Sequence, residues 1–476
     1  MCVQLRAGEY PILNWMLEPV TGDGNRELER IERNPMRSYQ LFNHTSRNPD
    51  ASTRRLFLQR ASAVALLPIA GRSMGATEVK HKVALIGCGG RAGTHRDEFK
   101  KIAEIAWVCD PDKQRLAQFE KETGAKGTTD LRRILDDKEV QAVVISTPDH
   151  WHAPAAIMAC NAGKHVYVEK PCSHNFVEGA KLLEAARRNN VVVQHGTQSR
   201  SNRLVVDAIQ MIKEGAIGDV LMAKAWNVQR RANIGKSVPS AVPDHVDYDT
   251  WVGPASFIPY QENRFHYAWH WWHNFGTGDI GNDGAHEIDI ARWGLGVEGF
   301  PTSAAAIGGK YYFDDDQQFP DHATCVFEWP GDGQVGHRRQ LMFEMRIWSK
   351  NYPYNCDCGI EFHGTRGMLM VSKRGKLMLW SEDNKIVEDP KPKEVIALPE
   401  SHQADFLQSI ESGKRPSADI EIGHHSTALI HLANIAVRTG VQLAFDPTTQ
   451  TITNDAKANA MLGRAYRDQG HWSIPR

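Results

Sequence analysis

A short apolar strand that runs directly into a glycine-rich turn is the feature that most constrains the fold of this chain. Residues 82–86 read KVALI, residues 87–93 read GCGGRAG, and a helix can follow over residues 95–101. A G-x-G-x-x-A pattern between a strand and a helix indicates dinucleotide binding, because the amides at the start of such a helix can hold the pyrophosphate. The sequence therefore predicts a nucleotide-binding strand–turn–helix unit.

Each small residue of the turn has its own predicted role. Gly87 permits the tight turn, Gly89 lets the backbone approach the pyrophosphate, and Ala92 allows the helix to pack closely on the strand. A second strand over residues 105–109 is followed by Asp110, about 20 residues after the first glycine, where an acidic residue binds the adenosine ribose. The nucleotide contacts predicted in this region are Gly87, Gly89, Gly90, Arg91, Ala92 and Asp110.

The choice between the two nicotinamide dinucleotides depends on Asp110. Its carboxylate would repel a 2′-phosphate, so the sequence predicts NAD as the cofactor. Lys113 and Arg115 follow closely in the sequence and leave NADP open as an alternative.

Strand and helix patterns continue to alternate as far as residue 194. Fully apolar strands between helices indicate a parallel sheet that is covered on both faces. Ligands of such sheets bind beyond the C-terminal ends of the strands, where this chain carries TPDHWH at 147–152 and Glu169-Lys170-Pro171. The predicted strands are 142–145, 165–169 and 191–194, and the predicted helices are 113–122, 154–162 and 175–189.

The glycine turn, the Thr147-Pro148…His152 segment and Glu169-Lys170-Pro171 resemble the Gfo/Idh/MocA oxidoreductases in order and spacing. The resemblance covers essentially everything after residue 80. It implies an α/β fold: an N-terminal Rossmann domain (78–198), then an α/β domain (199–476) with a large open, mostly antiparallel sheet. That sheet is implied to form the sugar site and to join the subunits of a homo-oligomer. The further cofactor contacts that the resemblance implies are Thr147, Pro148, His152, Glu169 and Lys170.

Lys170 is the first predicted catalytic residue. The resemblance implies that it lies beside the nicotinamide and the reacting hydroxyl. The residues are compatible with this role, because a lysine at a strand terminus, followed by a proline, can reach into the crevice. Partial desolvation there would lower its pKa toward useful acid–base chemistry. The alternative is a surface lysine that pairs with Glu169.

A helix that opens near Asp283, with His286 in its first turn, supplies the second predicted catalytic residue. The resemblance implies that His286 is the acid–base partner of Lys170. Inositol-dehydrogenase-like members carry an aspartate where this chain has Asn282, and an amide cannot take a proton from a histidine. We therefore expect Lys170 and His286 to carry the proton relay and Asn282 to orient the substrate. Asp279 or Asp283 could replace the missing carboxylate, and the sequence leaves that choice open.

The stretch from residue 266 to 293 is rich in Trp and His. Trp269, Trp271 and Trp272 can form a stacking wall for a sugar ring, or they can be core aromatics. Trp271 and His273 are the predicted substrate contacts here, together with Asp279, Asn282 and Asp283. His270, His273, Asp279 and His286 form no recognisable ligand set, so no metal site is predicted.

Residues 1–77 are predicted to be a leader. Arg54-Arg55 precedes a short apolar run at 61–70 and a segment of small residues, a pattern similar to twin-arginine export signals. We therefore expect a periplasmic or otherwise exported protein, or a cytoplasmic one if the leader does not function. The apolar run is shorter than the roughly 20 residues of a membrane helix, so no stable membrane insertion is expected.

The charges of the chain are nearly balanced, with 56 Lys and Arg against 57 Asp and Glu. This balance argues against nucleic acid as a partner.

Together these features predict an NAD(P)-dependent oxidoreductase that acts on a secondary hydroxyl of a sugar, glycoside or polyol. An exported enzyme has no replenished pool of free NAD, so we expect a tightly held cofactor and a reaction that returns the hydride. That reaction is either an oxidation–elimination–reduction sequence, which the family 109 glycosidases are implied to use, or an exchange between two sugars. The alternatives are an ordinary inositol or sugar dehydrogenase with exchangeable NAD, and a sugar-binding protein without catalysis.

Overall fold

The computed structural model describes residues 81–468 and 470–475. The predicted leader therefore lies outside the described residues. In the described part of the chain, no helix has both the length and the apolar character needed to cross a membrane.

The first sheet has six parallel strands in the order β3-β2-β1-β4-β5-β6, which is the doubly wound order of a Rossmann domain. The prediction of a parallel, nucleotide-binding sheet is confirmed. The sequence analysis missed β3, because its three residues, Lys-Gly-Thr, show no apolar pattern. The strands are β1 (Lys82–Ile86), β2 (Glu104–Cys109), β3 (Lys126–Thr128), β4 (Ala142–Ile145), β5 (His165–Val168) and β6 (Val193–His195).

Five helices connect these strands, and two of them begin earlier than predicted. The first helix starts inside the glycine turn at Gly90, and the fourth starts directly after Pro148 instead of at Pro154. Pro154 has no N–H to give to the carbonyl oxygen of His150, and the Arg464 guanidinium donates to that oxygen instead, at 2.8 Å. The helices are α1 (Gly90–Ile102), α2 (Lys113–Thr123), α3 (Arg132–Asp136), α4 (Asp149–Asn161) and α5 (Phe176–Arg188).

The second sheet has nine strands in the order β13-β12-β11-β7-β10-β9-β8-β14-β15. Only the pairing of β10 with β7 is parallel, which confirms the predicted mostly antiparallel sheet. Its strands are β7 (Val220–Val228), β8 (Ser303–Gly309), β9 (His322–Trp329), β10 (Arg339–Arg346), β11 (Cys358–Gly364), β12 (Gly367–Ser372), β13 (Lys376–Ser381), β14 (Leu443–Asp446) and β15 (Thr451–Ile452).

Helices cover one face of this sheet. Side chains of β9 alternate between buried and half-buried positions, and Ala323, Cys325 and Phe327 join the core that α9 and α11 complete. The helices of the second half are α6 (Arg203–Lys213), α7 (Tyr248–Val252), α8 (Gly278–Asn282), α9 (Gly284–Leu295), α10 (His402–Ser412), α11 (Ile420–Thr439) and α12 (Ala456–Ala460), with short 3₁₀ turns at 198–201, 262–264, 268–271 and 353–355.

Residues 229–277, which we call the aromatic segment, run between β7 and α8 and have a small core of their own that includes Tyr248, Trp251 and Phe265. The segment is hydrogen-bonded to the loop after β2. The amide of Lys113 donates to the carbonyl of His245 at 2.9 Å, and the amide of Asp247 donates to the carbonyl of Pro111 at 3.0 Å. The aromatic segment therefore lies at the C-terminal edge of the parallel sheet, where a nucleotide is expected.

Candidate active site

The glycine turn brings the ends of two neighbouring strands into close contact. Gly87 has a φ of +91°, and a Cβ at this position would lie 2.7 Å from the carbonyl oxygen of Ser146. Only glycine fits such a contact without moving the turn after β4. Ala92 is 1% exposed and packs α1 against the sheet. The sequence-based roles of these two residues therefore agree with their places in the fold.

The start of α1 has room and charge for a phosphate. Its N-cap is Gly89, no side chain caps the helix, and the first turn contains no acidic residue. A Cβ on Gly90 would meet no atom within 4 Å. Free amides at a helix N-terminus, beside open space, attract an anion. This turn therefore fits the pyrophosphate of a dinucleotide.

Asp110 is held rigidly at the end of β2. One carboxylate oxygen accepts a hydrogen bond from the amide of Cys88 at 2.7 Å, and the other accepts from the amide of Asp112 at 2.8 Å. Each oxygen keeps a further lone pair for a ribose hydroxyl. Arg115 also lines the cleft, and it would be the partner of a 2′-phosphate if NADP were bound.

A cleft of about 340 Å³ starts at the glycine turn and reaches the second half of the chain. Its volume lies in the range of small-molecule sites. Eleven of the residues predicted to bind cofactor or substrate, or to act in catalysis, line it: Gly87, Gly89, Gly90, Arg91, Asp110, Thr147, Pro148, His152, Glu169, Lys170 and Asn282. The aromatic segment contributes Thr250, Trp251, His266, Tyr267, Trp269 and His270, and Trp472 comes from near the C-terminus.

Glu169 organises the floor of the cleft. One of its oxygens accepts hydrogen bonds from Arg91 and His95, both at 2.8 Å, and from Gln198 at 2.7 Å. Burial alone would raise its pKa, but the Arg91 charge and the His95 hydrogen bond hold the pKa of Glu169 well below its usual range. The residue is therefore an anion that fixes α1, and it is not the surface partner of Lys170.

His152 connects the two motif turns. One ring nitrogen lies 2.6 Å from the carbonyl oxygen of Pro171, and the other lies 2.8 Å from the carbonyl oxygen of Thr147. The turns that follow β4 and β5 are therefore joined through one imidazole, which explains why a histidine occurs at this position of the motif.

The Lys170 amine lies where the two halves of the chain meet. It donates to the backbone carbonyl of Asn282 and to the side-chain oxygen of the same residue, the latter at 3.2 Å. Burial lowers its pKa from the ordinary value of lysine, against the opposing charges of Glu169 and Asp149. A neutral amine that gives both N–H groups to Asn282 has its lone pair free for a substrate proton.

Asp149 is a second ionisable group on the cleft wall. It is 2% exposed, and one carboxylate oxygen accepts a hydrogen bond from the Thr277 hydroxyl at 2.7 Å. Burial raises its pKa to about 6, although His152, Thr277 and Lys170 oppose the shift. A carboxyl group that titrates near neutrality beside Lys170 is suited to proton transfer. Asp149 belongs to the TPDHWH segment at 147–152, but no role was predicted for it from the sequence.

Asp279 and Asp283, the two carboxylates considered as replacements for an aspartate at position 282, do not line the cleft. Both pair with Arg231, and Asp279 also accepts a hydrogen bond from the Trp271 indole at 2.6 Å. The amide of Asn282 lies 3.4 Å from Asp279. Asp283 stands at the start of α9 as predicted, yet its side chain makes no capping bond, because Gln229 and Arg231 occupy it. These aspartates therefore support Asn282 and the start of α9 from outside the cleft.

His286 lies in the first turn of α9, as predicted, but it is not among the residues that line the cleft. Its Nδ1 is buried without a hydrogen-bond partner. Burial, together with the positive charges of Lys373 and Lys170, holds its pKa well below the ordinary value. The imidazole is therefore neutral near pH 7, and its role as acid–base partner stays a prediction.

Trp271 and His273, like Asp279 and Asp283, are predicted substrate contacts that do not line the cleft. Trp271 is 2% exposed, and its indole N–H donates a hydrogen bond to Asp279. His273 lies against Phe319 and lines a different cavity. Both belong to or follow a tight 3₁₀ turn at 268–271, which directs neighbouring side chains to different sides. Trp269, stacked on His270 with ring centroids 3.6 Å apart, is the tryptophan of this turn that lines the cleft.

Arg231 and Lys373 support the start of α9 and were not predicted from the sequence. Lys373 follows β12 and forms a 2.7 Å ion pair with Glu287 on α9, next to His286. Arg231 follows β7 and reaches the start of α9. Neither residue is part of a local motif, since both arrive through the pairing of strands that are far apart in sequence. In the described residues, no three His, Cys, Asp or Glu side chains are grouped so that they could hold a metal ion.

Comparisons with known proteins agree with this arrangement. Residues 81–197 match the Gfo/Idh/MocA model described as "Oxidoreductase family, NAD-binding Rossmann fold". Residues 222–323 and 373–474 match the companion model, "Oxidoreductase family, C-terminal alpha/beta domain". The two models together cover most of the described residues and both halves of the cleft.

Among curated proteins, the chain is 27% identical to a levoglucosan dehydrogenase of Pseudarthrobacter phenanthrenivorans, over 45% of this chain and 51% of that protein. It is 31% identical to a glycosyl hydrolase family 109 protein of Shewanella pealeana, over 36% of this chain and 41% of that protein. The chain thus spans about half or less of the length of these two relatives.

Among solved structures, the WlbA dehydrogenase from Chromobacterium violaceum, in complex with NADH and UDP-GlcNAcA, superposes on this chain with a TM-score of 0.60 at 21% identity. The superposition covers 78% of this chain and 97% of that one.

Proposed function

Because the chain belongs to the Gfo/Idh/MocA oxidoreductase family, we propose that it transfers a hydride between NAD and a secondary carbinol carbon of a sugar, glycoside or polyol. The observation that carries the proposal is the Lys170 amine, which is desolvated, bonded to Asn282 and exposed to a cleft that begins at the glycine turn. NAD supplies the hydride acceptor, and its reduced form supplies the hydride that a redox-neutral cycle needs.

Lys170 is the proposed base. With both N–H groups directed to Asn282, the neutral amine accepts the hydroxyl proton through its lone pair as the carbinol carbon is oxidised. Asn282 fixes the direction of that lone pair, and Asp279 and Arg231 fix Asn282. Asp149 takes or returns the proton in the same cleft, because its pKa of about 6 allows both states near neutral pH. His286 is the alternative partner for this second transfer.

We further propose that the cofactor stays bound and that the hydride returns to the substrate. The aromatic segment and Trp472 add walls to the nucleotide cleft, which supports slow release of the cofactor. Oxidation of a ring carbinol acidifies the neighbouring C–H bond, so an aglycone on the next carbon can leave by β-elimination, after which water adds and the carbonyl is reduced. Similarity to a family 109 glycosyl hydrolase supports this route.

A second candidate is an ordinary dehydrogenase that exchanges NAD with solution. It is favoured by the similarity to a levoglucosan dehydrogenase, which extends over more of this chain than the match to the glycosyl hydrolase. A sugar-binding protein without catalysis is disfavoured, because binding alone does not require a desolvated lysine beside a titrating carboxyl group.

One experiment separates the candidates. The purified protein is extracted for NAD, then screened with glycosides and polyols in deuterium oxide while absorbance reports NADH. Deuterium in the product without net NADH supports hydride return, whereas stoichiometric NADH released over many turnovers supports the ordinary dehydrogenase. Folded protein that neither contains nor binds NAD would contradict both.

Export through the predicted leader and a homo-oligomer built on the nine-stranded sheet are also proposed. Ile307 on β8 and the nearby Tyr311 are 78% and 64% exposed, which supports contact of this region with another subunit. Fractionation of the native host with N-terminal sequencing tests the first proposal, and light scattering of the purified protein tests the second. A cytoplasmic protein with an intact leader, or a stable monomer, would contradict them.

A further inference from the structure

A second cavity, of about 610 Å³, lies outside the proposed active site. Four parts of the chain form it: residues 174–175 before α5, the aromatic segment, the last turn of α11, and residues 460–465. His174 follows Lys170 by four positions, and His273 follows His270 by three, but no residue of this cavity lines the nucleotide cleft. Among its described lining residues there is no aspartate or glutamate.

Arg464 presents a free donor to this cavity. Its side chain is only 9% exposed. The Nε atom donates to Glu178 and one terminal nitrogen donates to the carbonyl of His150, both at 2.8 Å. The other terminal nitrogen is buried and has no hydrogen-bond partner. Glu178 does not line the cavity, and the same carboxylate oxygen also accepts a hydrogen bond from the Tyr466 hydroxyl.

Asn175 presents a second free donor. The residue is 5% exposed, and its side-chain oxygen caps α5 by accepting from the amide of Glu178 at 3.0 Å. Its amide nitrogen is buried without a partner. A buried N–H group without an acceptor is unfavourable, so an acceptor bound in this cavity would stabilise two such groups at once.

Two imidazoles and a second arginine also line the cavity, together with the neutral polar residues Ser256 and Asn274. Both ring nitrogens of His174 and the Nδ1 of His273 are buried without partners. Burial lowers the pKa of both imidazoles, that of His273 to about 4, so near pH 7 each is neutral and offers one N–H. Arg438, from the last turn of α11, adds a second guanidinium at the exposed side.

We propose that this cavity binds a small anionic molecule through a phosphate or carboxylate group. Two guanidinium groups and an amide offer donors, each neutral imidazole adds one N–H, and arginine forks match the oxygens of both anions. The cavity is larger than inorganic phosphate, so the anion is one group of a larger metabolite.

Isothermal calorimetry of the full-length protein tests the proposal. Inorganic phosphate and acetate are titrated separately, at constant ionic strength set with chloride and with NAD present at saturation, so that the pyrophosphate site is filled. We expect saturable binding of one of the two probes with a Kd of about 1 mM or lower. The probe that binds identifies the chemical class, and saturable binding of neither would overturn the proposal.

Two variants locate the site. Arg438→Gln removes a charge at the exposed side, and Asn175→Asp keeps the helix cap while it replaces the free amide with a carboxylate oxygen. We expect each to weaken anion binding about tenfold or more. Arg338→Gln removes an exposed arginine from another surface and should leave the Kd unchanged.

The outcome does not depend on the proposed catalytic activity. NAD affinity should be the same in all four proteins, because none of the changed residues lines the nucleotide cleft. Equal Kd values for the anion in wild type, Arg438→Gln and Asn175→Asp would place the anion elsewhere and overturn the proposal. Loss of anion binding when NAD is added would do the same, since it would locate the anion in the nucleotide cleft.

Discussion

The two ends of the cleft satisfy their polar groups in different ways. At the nucleotide end, the Asp110 carboxylate accepts hydrogen bonds from two backbone amides, and the Glu169 carboxylate accepts them from the Arg91 and His95 side chains. At the hydride end, burial shifts the pKa of Lys170 down and that of Asp149 up, so both lie closer to neutrality. The first arrangement is suited to holding a ligand, and the second to moving a proton.

This difference shows which interactions each end relies on. The nucleotide end is fixed by bonds within the Rossmann half, such as those of His152 to the two neighbouring turns. The hydride end needs Asn282 and Thr277 from the second half to position Lys170 and Asp149. A substitution at one end should therefore change binding or folding, and a substitution at the other should change turnover.

The largest expected effect is that of Lys170→Ala. Without the base, turnover should fall about 10³-fold, because positioned proton transfer contributes on this order. NAD binding should persist, because Gly87, Asp110 and Glu169 remain. Steady-state kinetics and calorimetry with NAD measure the two effects. Lys121→Ala, at an exposed position of α2, is the matched control, and a Lys170→Ala protein with near wild-type turnover would remove Lys170 from the mechanism.

Gly87→Ala tests the nucleotide end. A Cβ 2.7 Å from the Ser146 carbonyl, at a φ of +91°, should cost about 3 kcal/mol in the free energy of unfolding, and NAD affinity should fall as the turn shifts. Gly93→Ala, in the same turn-and-helix segment, should instead raise stability by about 0.5 kcal/mol, because it lies inside α1 with open space around its Cβ. Urea unfolding measures both, and changes of the same sign would contradict the explanation.

The pH dependence of folding stability can be tested at a buried histidine of α11. His424 is 1% exposed, packs against Phe176 and Phe300, and has neither ring nitrogen bonded. Burial lowers its pKa from 6.5 to about 3, so the unfolded chain binds a proton that the folded chain does not. Stability from this group is present above pH 6.5 and falls by about 2 kcal/mol on acidification to about pH 5. His424→Leu should flatten that dependence in urea unfolding, whereas His337→Leu, at an exposed histidine, should not.

The smallest expected effect concerns Asn282→Asp, which restores the carboxylate of inositol-dehydrogenase-like sequences. A negative charge beside the Lys170 amine favours its protonated form, so the pKa of Lys170 should rise. The pH at which oxidation reaches half its maximal rate should then move up by about one unit. The pH–rate profile measures this shift. Asn351→Asp, at an exposed loop position, should leave the profile unchanged, and a downward shift in Asn282→Asp would contradict the assignment of Lys170 as the base.

The Rossmann half and its cofactor end were predictable because their signals are local. The turn at 87–93, Asp110 and the segment around Lys170 each follow a strand that the sequence shows clearly. The start of α4 was misplaced because proline is typical of the first turn of a helix, whereas here Pro154 lies inside α4 and Arg464 compensates for its missing N–H. That compensation comes from more than 300 positions away and has no local trace.

The substrate end was predictable only in part. The resemblance supplied the position of Asn282 and an expected role in orienting the substrate, and the structure places this residue beside the Lys170 amine. The sequence could not show that Arg231 holds Asp279 and Asp283, since this depends on where β7 ends relative to α9. Trp271 and His273 were chosen for their residue types, and the turn geometry at 268–271 decided otherwise.

The bond from Arg464 to the carbonyl of His150 has a consequence for protein engineering. Further ties join the same two halves: the Gln194 amide donates to the carbonyl of His402 at 2.7 Å, and the rings of Phe406 and Tyr167 lie 5.9 Å apart. A fragment cut after residue 198 would lose all three and expose apolar surface. The isolated nucleotide-binding half should therefore be less stable than the same residues are within the full chain.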